Sequence, residues 1–451
     1  MSLTKTVGFF AGTTLAIGGA AFGADQNSEL AAEVANLKAQ IAEMKNSQGD
    51  AWLTEQRASE IRGIVTDVLA DADTRSSLQG SGAGAGYNGG FFMSSADGNY
   101  SMKLNVLEQV RWTFNNRNDA GTGEDQTWGF ENKRTRLTFG GNMVDSTWSY
   151  KVAYYFAYSN DVEFLGVDSN GDPVNQSPVL ADAFVSKDMG GGLSFTVGQF
   201  KLPFSGEYGT DAGNLQFNDY STISNAFADG YGQGLMLTYS ADAFRAAVAY
   251  VNALNQVDAD WTDGSPSDEF ALTGRAEFKL SGTWDQFNNA MSFRGEEMGV
   301  LIGAGLNWAD SNTAGDGDVF GATVDVTVDF GGANVMGAFY WDNNDDAPAP
   351  AGENPWGVTL QGGVFVSDDV ELVARYEYGD PDANSNDFST LTFGANWYLA
   401  QNTAKFGFNF GYAFDGIGGI WETPASGNNW LEDGTGEDGQ WMLQAQMSFS
   451  F

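Results

Sequence analysis

The feature that most constrains this chain is a period of two. In "NYSMKLNVLEQVRWTF" (99–114), Tyr100, Met102, Leu104, Val106, Val110 and Trp112 fall on one face and Lys103, Asn105, Gln109 and Arg111 on the other, with Glu108 the one misfit. Such alternation belongs to a β-strand, whose successive side chains point to opposite sides. It recurs in "TWSYKVAYYFAYS", "FGATVDVTVDF", "VELVARYEY", "TAKFGFNFGYAF" and "WMLQAQMSFSF". It predicts sixteen strands, near 99–114, 128–140, 146–159, 179–187, 192–201, 231–240, 243–252, 268–281, 298–309, 318–330, 332–342, 355–366, 369–379, 388–399, 403–415 and 439–451.

A soluble β-sandwich alternates too, so the connections must decide. The even-numbered ones are mostly tight ("NMVDS", "MGG", "SAD", "FGGA", "SDD", "AQN"), whereas the odd-numbered ones are longer and polar. Turns at one rim, loops at the other and an even count predict an all-β fold, a transmembrane antiparallel β-barrel of about sixteen strands. The exception is "GTWDQFNNAMSFRGEE" (282–297), a long connection on the turn side that is either an insertion or a slip in the count.

The N-terminal segment reads differently. Lys5 precedes an apolar stretch from Val7 to Phe22, with small residues at Ala21 and Gly23, which suits a signal peptide over 1–24; a buried helix is the competing reading. Beyond it no apolar run is long enough for a membrane helix. Leu30, Val34, Leu37, Ile41 and Met44 follow a 4-3-4-3 spacing, a short coiled-coil seam. Glu33 and Lys38 then occupy the g and following e positions that meet between parallel helices, so a homo-oligomer is expected, the alternative being a helix packed on its own chain. The expected order is signal peptide 1–24, periplasmic helical segment 29–75, Gly-rich linker and barrel entry 76–98, and outer-membrane barrel 99–451. Phe451 is expected to close the sheet against the first strand, since lipid does not tolerate an open edge.

The 451 residues include no cysteine and no histidine and carry a formal charge of -38. Without imidazole, the Ser-His-Asp triad, the Cys-His pair and most zinc sites are excluded, so neither an enzyme, a cofactor nor a resident metal is expected. The charge argues against nucleic acid and anionic headgroups as direct partners. Clusters such as Asp342, Asp345, Asp346 and Glu432, Asp433 would hold Ca²⁺ or Mg²⁺ loosely, or simply form a solvated acidic surface.

The charge is unevenly placed. Lys103, Arg111, Arg134, Arg136, Lys151, Arg245, Arg275, Lys279, Arg375 and Lys405 lie opposite the apolar stripe, with Asp182, Glu277, Asp325, Asp329, Glu371 and Glu377 beside them. Most other acids sit in loops such as "DADWTDGSPSDE" and "LEDGTGEDG". A basic lumen that favours anions and a mixed lumen that merely stays wet both fit this pattern.

The blocks "GFFMSSADGNYSMKLNVLEQVRW", "FENKRTRLTFGG", "LADAFVSKDMGGGLSFTVGQFKLPFSGE" and "VELVARYEYGD" resemble, in order, those of the phosphate-selective porin family, the O and P type outer-membrane porins. The resemblance spans roughly 87–451. It implies a trimer of sixteen-stranded barrels among outer-membrane lipids, each passing small hydrophilic solutes and ions through a pore narrowed by infolded loops. It also implies that anions meet basic residues of the wall and the inward loop. Arg134 and Arg136 match "RTRL" and Lys201 stands in "GQFKLP"; with Lys103, Arg111, Lys151, Arg245, Arg275 and Arg375 they are the candidate anion contacts. The inward loop "LPFSGEYGTDAGNLQFNDYSTISNAFADG" departs from the pattern, offering Glu207, Asp211, Asp219 and Asp229 but no Lys or Arg after Lys201. The alternative role is a structural one, tethering the envelope through a cell-wall component bound by the helical leader.

Overall fold

The computed structural model describes residues 32, 35–40, 42–43, 84–121, 123–156, 178–255, 268–311, 318–343, 354–382, 387–421 and 430–451. Chain contacts divide it into two units, 1–86 and 87–451. In the first, the signal segment and the seam positions Leu30, Val34, Ile41 and Met44 lie outside the described residues; Leu37 stands on a helical stretch with its side chain exposed.

The second unit carries sixteen long strands: β1 (Ser101–Asn116), β2 (Gln126–Met143), β3 (Asp145–Tyr155), β4 (Val179–Gly190), β5 (Leu193–Lys201), β6 (Tyr231–Ser240), β7 (Phe244–Val251), β8 (Asp268–Ser281), β9 (Gly299–Ser311), β10 (Val319–Asp329), β11 (Ala333–Asn343), β12 (Trp356–Phe365), β13 (Val370–Asp380), β14 (Phe388–Tyr398), β15 (Ala404–Ala413) and β16 (Trp441–Ser450). Each coincides with an expected strand to within a few residues. Every strand pairs antiparallel with its sequence neighbours, and β16 pairs with β1 from Trp441↔Asn116 to Ser450↔Leu107, so the sheet closes on itself. Phe451 completes the seam: its N–H donates to Val106 O at 3.0 Å and its carbonyl accepts from Val106 N at 2.6 Å.

The two faces follow the pattern read from the sequence. On β15, Phe406, Phe408, Phe410 and Tyr412 are exposed on the outer face, while Lys405 and Asn409 are buried inside. Glu108 points outward opposite Thr135, whose hydroxyl donates to it at 2.7 Å. One departure matters for the lumen. Gln109 pairs with Arg134 and Val110 with Asn132, leaving Lys133 as the extra residue of a β-bulge. Strict alternation would put Lys133 and Arg134 on opposite faces; the bulge turns both inward, where both are buried.

Residues 282–297 are a true insertion, because β8 and β9 pair directly, as at Gly274↔Leu306. The segment makes one 3₁₀ turn, Gln286–Asn288, and buries Met291 and Ser292.

A loop across the barrel

The connection from β5 to β6, residues 202–230, folds inward as a series of short capped turns. Ser205 Oγ accepts from Tyr208 N at 3.1 Å to start α1 (Gly206–Gly209), Asp211 Oδ1 accepts from Gly213 N at 2.9 Å, and Ser221 Oγ accepts from Ser224 N at 3.0 Å to start α2 (Thr222–Ala226). Ser and Asp are the residues that satisfy such turn starts.

A loop buried in a barrel would leave backbone polar groups without partners, at a cost of about 1–3 kcal/mol each. Here the wall supplies them. Gln109 donates to Ala212 O (3.1 Å), Asn396 to Gln216 O (2.7 Å), Arg111 and Gln446 to Asn218 O (3.0 and 3.2 Å), and Arg375 to Asp219 O (3.1 Å). Lys405 donates to Leu215 O, and Thr222 N donates to Glu377 at 2.6 Å. The apolar side of the loop packs Phe204, Ile223 and Phe227 against Tyr340, Phe388 and Trp421. The loop therefore starts beside β5, crosses the lumen and is fastened to β1 and to β11–β16.

Charge finishes the attachment. Asp219 is met by three wall cations: Arg134 at 2.8 Å, Arg111 at 2.9 Å and Lys133 at 3.4 Å. Burial would raise its pKa, but those cations hold it well below the usual carboxylate range. Arg136 likewise keeps Asp211 low against the effect of burial, at 2.5 Å. Glu207 lies 3.8 Å from Arg375, and there burial prevails and raises the pKa. Asp229 has hydrogen bonds from Asn307 and from Thr273 (2.9 Å) and is pushed up to about 7 by burial.

The nine candidate anion contacts thus divide. Arg111, Arg134 and Arg375 lie inside but are covered by the loop, and Arg136 is paired to it. Lys151 pairs with Asp182 on the wall at 2.8 Å, and Lys103 lies beside Gly89 and Gly90 near the turn rim. Lys201, Arg245 and Arg275 line a cavity of about 690 Å³ left between the loop and the wall, together with Glu207, Asp211, Glu277 and Asp325. In it Arg275 grips Asp325 through two bonds of 2.7 and 2.8 Å and reaches Glu277 at 2.9 Å. Glu277 also binds Arg245, which stacks over Trp284 at 4.5 Å. Lys201 sits 4.3 Å from the centre of the Tyr208 ring and donates to Tyr208 O at 2.8 Å.

The sequence matches the family of phosphate-selective porins O and P over residues 104–343, which is 240 of 451 residues. The chain belongs to that family. The porin also shares its fold with solved outer-membrane channels. An anion-selective porin from Comamonas acidovorans is 14% identical, with a TM-score of 0.51 over 78% of this chain and 99% of that one. OmpF of Salmonella typhi, solved in complex with daunomycin, is 10% identical, with a TM-score of 0.52 over 82% and 100%. No curated protein matches the sequence. The family and fold make this an outer-membrane porin, a channel for passive diffusion of small hydrophilic solutes and ions.

Sequence reasoning missed three parts of the porin's constriction. Lys133 was hidden by the bulge, which alternation alone cannot locate. The loop acids read as a departure from the family pattern, whereas Asp211 and Asp219 serve as counter-ions that fasten the loop to the wall. The lining residues Phe287, Asn288, Asn289 and Ala290 come from the insertion; its length was the only signal.

Proposed function

We propose that this porin prefers small hydrophilic anions weakly and has no dedicated phosphate cradle. The observation that carries this reading is the unequal exposure of the charges in the cavity. The Arg245 side chain is 35% exposed, whereas Glu277 and Asp325 beside it are 10% and 7% exposed. On the wall, an ion in the passage therefore meets the Arg245 guanidinium ahead of Glu277 and Asp325, and a guanidinium stays charged at any working pH. Asp211, 41% exposed, opposes it and keeps the preference small. Among the candidate contacts, the guanidinium groups of Arg111, Arg134, Arg136 and Arg375 are occupied by the loop. The name of the Comamonas acidovorans porin, anion-selective, supports the same sign.

The reading extends to the assembly. The porin is a homotrimer in the outer membrane, with residues 29–75 as a periplasmic coiled-coil leader that reinforces the trimer and reaches towards the cell wall. Anion contact falls to Arg245, with Lys201 lining the same cavity, while Arg275 is held by Asp325 and Glu277. The deciding experiment is the reversal potential of the purified protein in a planar bilayer under a salt gradient. A small potential of anion sign at high salt is expected, and a cation-selective channel under those conditions would overturn the reading.

A further inference from the structure

We propose that the turn-side insertion between β8 and β9 is a second constriction and the pore's size filter, separate from the charged wall. This rests on the channel reading above. Two antiparallel strands need only a tight turn to join them, and Val144 alone connects β2 to β3. The β8–β9 connection instead turns back into the lumen and is fastened there. Gln286 donates to Asp329 at 3.0 Å, Arg294 to Phe365 O at 2.6 Å, Asn334 to Ala290 O at 2.8 Å and Asn402 to Asn289 at 2.8 Å. Phe293 packs 5.5 and 5.3 Å from the rings of Phe365 and Tyr398.

Its crest meets the inward loop. Ala290 N donates to Asn214 O at 3.0 Å, and Asn214 Nδ2 donates to Asn288 O at 3.1 Å. The loop entering from one rim and the insertion entering from the other are thereby joined, and both line the same cavity. The crest residues Phe287, Asn288, Asn289 and Ala290 carry no charge, whereas Arg245, Arg275, Glu277 and Asp325 line the same cavity from the wall. Neutral amides and a phenyl ring discriminate by volume and hydrogen bonding; the wall discriminates by charge. The crest thus contributes width and the wall contributes charge to one cavity.

The chain has no cysteine, so Asn288→Cys would introduce its only thiol, at an exposed position. Reaction with a bulky neutral maleimide should cut single-channel conductance by about half or more while leaving the reversal potential unchanged. Replacing Trp284–Glu297 with an Asn-Gly turn should raise conductance by roughly twofold. Because the shortened protein uncovers Phe365 and Tyr398 and can fail to fold, the labelled full-length protein decides. Unchanged conductance after complete labelling, verified by mass, overturns the proposal, and so does a change of ion sign on labelling. If the unlabelled protein itself passes no current, it is the channel reading that fails.

Discussion

Arg134 Nη2 lies 2.8 Å from Asp219 Oδ1, joining the barrel wall to the loop that crosses it. Arg111 and Lys133 share the same carboxylate, and all three cations are buried. Removing Asp219 strands like charges in a desolvated site. Asp219→Ala should destabilise the protein by about 3–5 kcal/mol, the cost of breaking a buried pair. Thermal unfolding in detergent checks the stability, and open-channel noise should increase as the loop loosens.

Asp229 gives the opposite electrostatic case. Its folded pKa of about 7 lies above the ordinary 3.8, so the folded state holds the proton more tightly than the unfolded one. Its contribution to stability is complete below about pH 4 and is lost as pH rises through about 7. Melting temperature should fall between pH 5 and pH 8 in wild type, and the fall should be smaller in Asp229→Asn. Equal slopes in the two proteins would remove Asp229 as the cause.

Arg245→Ala should shift the reversal potential towards cations, and Asp211→Asn should shift it further towards anions. The two substitutions bracket the proposed balance in the passage. Both shifts should be clearest at about 1 M salt, where screening confines the acidic external loops to a few ångströms.

Arg134→Ala with Arg136→Ala should act differently from Arg245→Ala. The pair holds Asp219 and Asp211 of the loop, so its loss should lower thermal stability and widen the distribution of conductance states. A stable channel with a clean single conductance would count against the fastening role.

Gly379 marks a close approach that sequence does not announce. A β-carbon there would lie 2.4 Å from the Trp421 ring and 2.9 Å from Ile223 Cδ1. Gly379→Val should cost about 1–3 kcal/mol or more through overpacking. Lower refolding yield and melting temperature would register it; wild-type values for both would show that the Trp421 ring moves freely.

The sequence by itself determined the barrel. A lipid-facing strand must alternate and its backbone must pair with neighbours, so strand number, approximate strand position and, away from bulges such as that at Lys133, inward or outward direction are written locally. The closure of Phe451 against the first strand and the inward face of Lys405 follow from that periodicity. The constriction was not legible in the same way. Which wall cations an ion can reach depends on where residues 202–230 lie in the lumen, and contacts such as Asp219 with Arg111, or Asn214 with Ala290, join positions 108 and 76 residues apart with no periodic signal. Only the folded chain pairs Arg134 with the loop and places Arg245 on the cavity, because burial and ion pairing are properties of the closed barrel with its contents and not of any one strand.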